Sequence, residues 1–412
     1  MMHNPLWNAY TRQVLGWRLG DAATAPPPRR EDAQEARRTA ERLARMHAAS
    51  GRACCVLLGA GDGTLARRLD ATLPPHSALL VLECDADAAR AALPQLPARA
   101  CLLADASPWA LLLLMTGAGL TGEQCTVGWT LPAARQPCRQ ALETWRALFT
   151  RARRVALPAL QGAAQADARA DAQADARAMR LSVGCILHRD EPRLHDFFAH
   201  IPPWAHDVSV VWDGEAPAAP PPCAVPVHAQ TRPLAGDFAA QRNAMLAGCA
   251  GDWCVYLDAD ERLEPPVWEA LPPLAACAED TGHAGGVLFP RLTFEGDAAH
   301  VRMGYGLWPD VQLRLFPLRP TPPRFTGAVH ERLLGLGDNV LLAPGMPILH
   351  YSHILKDRQS LTQRLAVFNA AAGKPLHTLS AAYPSLPREL LDTAALPFAR
   401  DNILLLPLQA EP

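Results

Sequence analysis

Apolar residues fall in short runs through the first third of the chain, at residues 54–58, 78–82, 100–103 and 126–129, and each run has the length of a strand. Residues 65–71 and 139–153 read as helices between and after them. Strand and helix in alternation predict a parallel sheet with helices packed on its faces. The pattern lapses over residues 161–180, where Asp, Ala, Arg and Gln recur without a large apolar side chain. Such a stretch contributes little to a core and reads as a solvent-exposed helical connector. The rhythm then restarts, with strands at 181–187, 208–212 and 253–257 and helices at 193–200 and 238–247. Beyond Asp260 it changes again to runs at 286–294, 311–316 and 340–350, which favour hairpins, followed by a helix over 355–372 and a Pro-rich tail with an apolar patch at 403–408.

This patterning predicts an α/β protein: a Rossmann-like parallel sheet in residues 1–158, a connector at 159–180, a second nucleotide-binding α/β domain at 181–375 and a tail at 376–412. With 412 residues there is chain enough for each domain to bury its own core. The 39 basic and 41 acidic side chains nearly cancel, so no net field draws the chain to nucleic acid or to anionic lipid. Eleven cysteines are scattered without a C-x-x-C pair, as expected of free thiols in a reducing compartment. Residues 1–20 lack the unbroken apolar core of a signal peptide, and the apolar run at 109–115 is far shorter than the roughly 20 residues that span a bilayer. The expected location is cytoplasmic, with membrane contact at most peripheral to the inner membrane.

The densest chemistry lies in Asp252-Trp-Cys-Val-Tyr-Leu-Asp258-Ala-Asp260-Glu261, an apolar strand that ends in carboxylates. Side chains at the end of such a strand project into the crevice used for ligands. Two carboxylates there repel unless a cation neutralises them, and a hard divalent ion such as Mg²⁺ or Mn²⁺ takes carboxylate and phosphate oxygens together. A metal so placed stabilises the charge that gathers on a departing diphosphate. The other reading makes Asp258 or Asp260 a helix cap ahead of Pro265.

Five blocks in order resemble the family 2 glycosyltransferases, in particular the branch that modifies lipopolysaccharide core and related surface glycans. They are His188-Arg-Asp-Glu191, Val210-Val-Trp-Asp-Gly214, Asp237-Phe-Ala-Ala-Gln-Arg-Asn243, Asp258-Ala-Asp-Glu261 and Phe325-Thr-Gly-Ala-Val-His-Glu331. The resemblance implies a GT-A nucleotide-sugar-binding domain of the hexosyl- or heptosyltransferase class, inverting at the anomeric carbon. It implies donor contacts from Arg189, Asp190, Glu191, Asp213, Arg242, Asn243, Asp258 and His330. It also implies a divalent metal on Asp258, Asp260 and His350, with Glu331 as base and Asp260 also catalytic. The acceptor would be a glycan, a lipid-linked sugar or a protein. Two positions depart from the family pattern: Asp190 stands where Asn is usual, and Trp212 where the first Asp of a D-D-G-S block is usual. Bland readings stand beside these: Arg189 and Glu191 as a surface ion pair, Arg242 on a solvated helix face, and His330, Glu331 and His350 as structural groups.

In the first domain, Gly59-Ala-Gly61-Asp-Gly63 follows a strand and opens a helix, and Glu83 ends the next strand. This resembles a methyltransferase-type Rossmann module, in which these residues would hold S-adenosylmethionine. No methyl-acceptor motif accompanies them, so the expectation is a module that packs or docks rather than one that uses S-adenosylmethionine. Two rivals remain: a bifunctional protein whose first domain methylates, and a non-catalytic nucleotide-sugar-binding scaffold.

Overall fold

A computed structural model describes residues 4–18, 30–130, 138–157, 179–280, 284–327, 331–357, 359, 361–363, 366, 383–394 and 402–407. It is an α/β protein whose chain divides into two compact units. One comprises Met1–Ala152, Ala299–Asp310 and Ala382–Pro397, and the other Arg153–Ala298, Val311–Ala381 and Phe398–Pro412.

The first unit opens with helices α1 (Pro5–Gly16) and α2 (Ala33–Ser50). It continues through β1 (Cys54–Leu58), α3 (Thr64–Thr72), β2 (Ala78–Glu83), α4 (Ala86–Ala92), β3 (Ala100–Ala104), α5 (Pro108–Gly117), β4 (Cys125–Trp129) and α6 (Arg139–Arg151). Its four strands are parallel in the order β3-β2-β1-β4, as strand and helix in alternation foretold. Every side chain of β1 is buried, which a strand covered on both faces requires. Helix α2 starts at Asp32, whose carboxylate caps the N–H groups of Gln34 and Glu35, and buries Ala36, Ala40, Leu43 and His47 along one stripe. The apolar run at 109–115 lies within α5 and is buried all round. Among the described residues no helix is long and apolar enough to cross a membrane.

Two late segments belong to this first unit, which contiguous boundaries along the sequence do not foresee. Tyr10 of α1 donates a hydrogen bond to Asp105 and accepts one from the N–H of Gly304 at 3.2 Å. The hydroxyl of Tyr305 donates to the carbonyl of Trp17 at 2.7 Å, and its ring packs edge-on against the Trp17 indole.

The second unit begins with β5 (Arg153–Ala156), then β6 (Leu181–Leu187), α7 (Leu194–Ala199), β7 (Asp207–Trp212), β8 (Val227–Thr231), α8 (Phe238–Gly248) and β9 (Trp253–Tyr256). After these come β10 (Glu261–Arg262), α9 (Pro265–Asp280), β11 (Ala284–Phe289), β12 (Arg291–Glu295), β13 (Asp297–Arg302) and β14 (Gln312–Pro317). The short strands β15 (Arg324–Thr326), β16 (Arg332–Leu334), β17 (Asn339–Leu342) and β18 (Ile348–His350) follow, then α10 (Ser352–Leu355). β19 (Ser385–Pro387) and α11 (Arg388–Ala394) return to the first unit, and β20 (Asn402–Pro407) closes the list of strands in the second.

The large sheet runs β5-β20-β17-β11-β14-β9-β6-β7-β8, with β8, β7, β6 and β9 mutually parallel and β14 antiparallel to β9. The edge strand β8 is fully exposed, and its polar Val-His-Ala-Gln-Thr sequence gave no strand signal. The apolar tail patch is β20, which pairs with both β17 and β5. The expected helix over 355–372 falls mostly outside the described residues.

Alternation along β9 explains the layering. Trp253 and Val255 join the core that contains Trp268 and Leu271 of α9, whereas Cys254 and Tyr256 face the opposite cluster with Met245 of α8. Close approach of α8 needs a glycine on β6: a Cβ on Gly184 would lie 2.5 Å from the Met245 sulfur.

Candidate functional site

The parallel strands β6, β7 and β9 end on one edge of the sheet, and the carboxylate motif follows β9 directly. Asp258 keeps the parity of Cys254 and Tyr256, so its side chain turns to the α8 face, where it meets cations. Its Oδ2 accepts a hydrogen bond from Arg314 Nη2 at 2.9 Å, and its Oδ1 lies 3.8 Å from Arg242 Nη1. Burial opposes ionisation of Asp258, but the guanidinium groups of Arg314 and Arg242 outweigh both burial and neighbouring Asp260 and hold its carboxyl far below the usual range.

Arg314 reaches the motif through register. β14 pairs Leu315 with Val255 and Phe316 with Cys254, so Arg314 comes beside Tyr256, and its guanidinium stacks 4.1 Å from that ring. Nη2 of Arg314 also donates to Glu261 Oε1 at 2.7 Å. Glu261 is fully buried, takes a second bond from Arg291 at 3.1 Å, and through Oε2 accepts the N–H of Asp258 at 3.0 Å. It therefore fixes the backbone from which Asp258 projects.

Asp260 points the other way. Its Oδ2 accepts a hydrogen bond from Lys356 Nζ at 2.6 Å, its Oδ1 lies 3.6 Å from His350 Nε2, and its carbonyl accepts the N–H of Tyr351 at 2.9 Å. Lys356 also lies 3.1 Å from Glu191 Oε2. His350 arrives because β18 pairs it with Glu261, and its Nδ1 is 2.9 Å from the hydroxyl of Thr293.

Arg242 of α8 donates from Nε to Glu331 Oε1 at 3.2 Å and stacks on Tyr256 at 4.6 Å. It is thus not on a solvated helix face. Asn243 commits its amide to backbone: Nδ2 donates to the Phe325 carbonyl at 2.9 Å and Oδ1 accepts the Phe325 N–H at 2.8 Å. This clamp sets β15 against α8.

The structure thus brings these residues into two ion-pair groups on either side of the motif, Arg242, Asp258 and Glu331 with Arg314 in one and Glu191, Asp260 and His350 around Lys356 in the other. Arg189 pairs with Glu215 on the exposed surface and Glu191 with buried Lys356, so the two do not form the surface ion pair of the bland reading, and Asp190 is largely exposed beside Arg189. Asp213 ends β7 and accepts the N–H of Leu234 at 2.7 Å, tying down the loop before α8. His330 lies outside the described residues. Arg314, Arg291 and Lys356 escaped the sequence reading. A signal existed for two of them: Arg314 interrupts an apolar strand, and Lys356 is one of two lysines in the whole chain.

The donor set does not suit a divalent ion as it stands. Both oxygens of Asp260 face Lys356 and His350, and Asp258 faces Arg314. Among the described residues no group of three or more His, Cys, Asp or Glu side chains is placed to hold a metal.

In the first unit, Gly59, Gly61 and Gly63 all take positive φ between β1 and α3, and Glu83 at the end of β2 is fully buried.

No family model matches the sequence, and no curated protein matches it. Among solved structures it is similar to Staphylococcus aureus TarS residues 1–349 in complex with UDP, at 14% identity over 36% of this chain and 50% of that one, with a TM-score of 0.25. The same protein with UDP-GlcNAc gives 13% identity, coverage of 37% and 50%, and a TM-score of 0.26. The O-methyltransferase TomG from Streptomyces achromogenes in complex with SAM gives 14% identity over 40% of this chain and 80% of that one, with a TM-score of 0.22. The chain thus spans half the length of the TarS structures it matches.

Proposed function

We propose that the second unit is a glycosyltransferase that moves a sugar from a nucleotide-sugar donor to a hydroxyl on a glycan, lipid-linked or protein acceptor. The observation that carries this reading is the pair of ion-pair groups flanking the motif after β9, Asp258 and Glu331 with Arg242 on one side and Asp260 with Lys356 on the other, at the edge of a parallel sheet where ligands bind. Arg242 and Lys356 supply positive charge for a leaving diphosphate, and Arg242 can do so as a planar fork.

Glu331 is the base in this account. The acceptor oxygen attacks the anomeric carbon, the bond from that carbon to the diphosphate oxygen breaks, and the hydroxyl proton passes to the Glu331 carboxylate. One displacement of this kind inverts the anomeric centre. No step runs through a metal, because Asp258 and Asp260 already face cationic side chains. The test is a screen of nucleotide-sugar donors for release of free nucleotide by the full chain, with Glu331→Gln as its control.

A further inference from the structure

In a parallel sheet of order β3-β2-β1-β4, the glycine-rich loop after β1 lies where the backbone N–H groups and the start of the next helix are free to take an anionic ligand. Here three of those donors already have acceptors, and the acceptors are the chain's own carboxylates. The N–H of Ala60 donates to Glu83 Oε2 at 2.9 Å, that of Thr64 to Asp62 Oδ1 at 3.0 Å, and that of Leu65 to Glu31 Oε2 at 2.9 Å. The other oxygen of Glu83 accepts from the N–H groups of Cys84 and Asp85 at 2.9 and 3.0 Å, so this buried carboxylate is spent on backbone rather than presented to a ribose.

The position of Glu31 is the decisive detail. Gly61 has a φ of +56°, and a Cβ built there would lie 2.8 Å from Glu31 Cδ. The Glu31 side chain therefore fills the space against the glycine that a ligand would use. It is anchored at both ends, because its own N–H donates to Asp62 Oδ2 at 3.2 Å and the next residue, Asp32, caps the 18-residue helix α2.

We propose that Glu31 is a tethered ligand, whose carboxyl group occupies the anion seat of the glycine-rich loop and keeps the first unit closed to nucleotide cofactors. Burial pushes the Glu31 carboxyl up to about 7, with Asp62 adding to the rise through a hydrogen bond, so the two groups hold a proton between them near neutrality.

The experiment is calorimetric titration of the full chain with S-adenosylmethionine and, separately, with NAD⁺. The wild type is expected to bind neither at millimolar ligand. Glu31→Ala, which frees the Leu65 N–H and empties the seat, is expected to bind S-adenosylmethionine at least about tenfold more tightly, and Glu31→Gln, which keeps the plug, to stay silent. Should Glu31→Ala lose its fold, Glu31→Ser is read in its place. Micromolar binding by the wild type overturns the proposal, and so does a folded Glu31→Ala or Glu31→Ser variant that binds no better than the wild type.

Discussion

The ammonium group of Lys356 lies 2.6 Å from Asp260 and 3.1 Å from Glu191, with all three side chains almost fully buried. Of 39 basic residues in the chain two are lysines, so arginine is the default cation and a buried lysine is the exception. Its compact ammonium bridges these two carboxylates as a point charge, whereas Arg314 bridges Asp258 and Glu261 through one guanidinium nitrogen.

Lys356 thus sits where a divalent ion would be expected, and its removal should open that place. Calorimetry with Mn²⁺ is expected to show no binding to the wild type and measurable binding to Lys356→Met, in which Asp260 and Glu191 lose their shared cation. Wild-type binding that disappears in Asp260→Asn would contradict this and restore the metal.

Glu331→Gln keeps the shape of the side chain and can still accept a hydrogen bond from Arg242, but it takes no proton at neutral pH. Turnover should fall by about 10²- to 10⁴-fold with donor affinity little changed. A purely structural Glu331 would instead lower the melting temperature and weaken donor binding together.

Arg314→Leu removes the cation shared by Asp258 and fully buried Glu261. Breaking a buried pair from one side costs about 3–5 kcal/mol, because the remaining charge cannot reach water. Denaturant unfolding should show a loss of that order, and a loss under about 1 kcal/mol would mean that Arg291 alone suffices for Glu261.

The first unit should weaken as pH rises. Burial raises Glu31 from 4.5 to about 7 and Asp105 from 3.8 to about 6, the latter against the lowering hydrogen bond from Tyr10. In each case the folded chain holds a proton that the unfolded chain has released, so stability is full below the unfolded value and is lost up to the folded one. The melting temperature should therefore fall between about pH 4.5 and 7, and Glu31→Gln should flatten the upper part of that window, above pH 6. A Glu31→Gln profile parallel to the wild type would show that Glu31 does not carry the effect.

The alternation of strand and helix was legible because buried parallel strands are near-continuous apolar runs, as in residues 54–58 and 181–187. The acidic motif was legible because it ends such a run. What joins the motif to its cations was hidden, since Arg314 meets Asp258 through antiparallel register across 56 residues of chain, and Lys356 meets Asp260 across 96. The late segments of the first unit were hidden for the same reason: Gly304 meets Tyr10 at a separation of 294 residues, and no local pattern records it. Asn243 shows a motif residue whose local role is backbone support, a distinction that spacing alone does not make.

The most direct test of the central claim is nucleotide release from UDP-, GDP-, CMP- and ADP-sugars by the full chain, without added metal and with an acceptor mixture of cell-surface glycans. The account predicts release from one donor class, in the presence of chelator, that falls by about 10²-fold or more in Glu331→Gln. Release from none of the donors, with or without Mn²⁺, by a folded protein that still binds a nucleotide-sugar would contradict it and leave a non-catalytic scaffold.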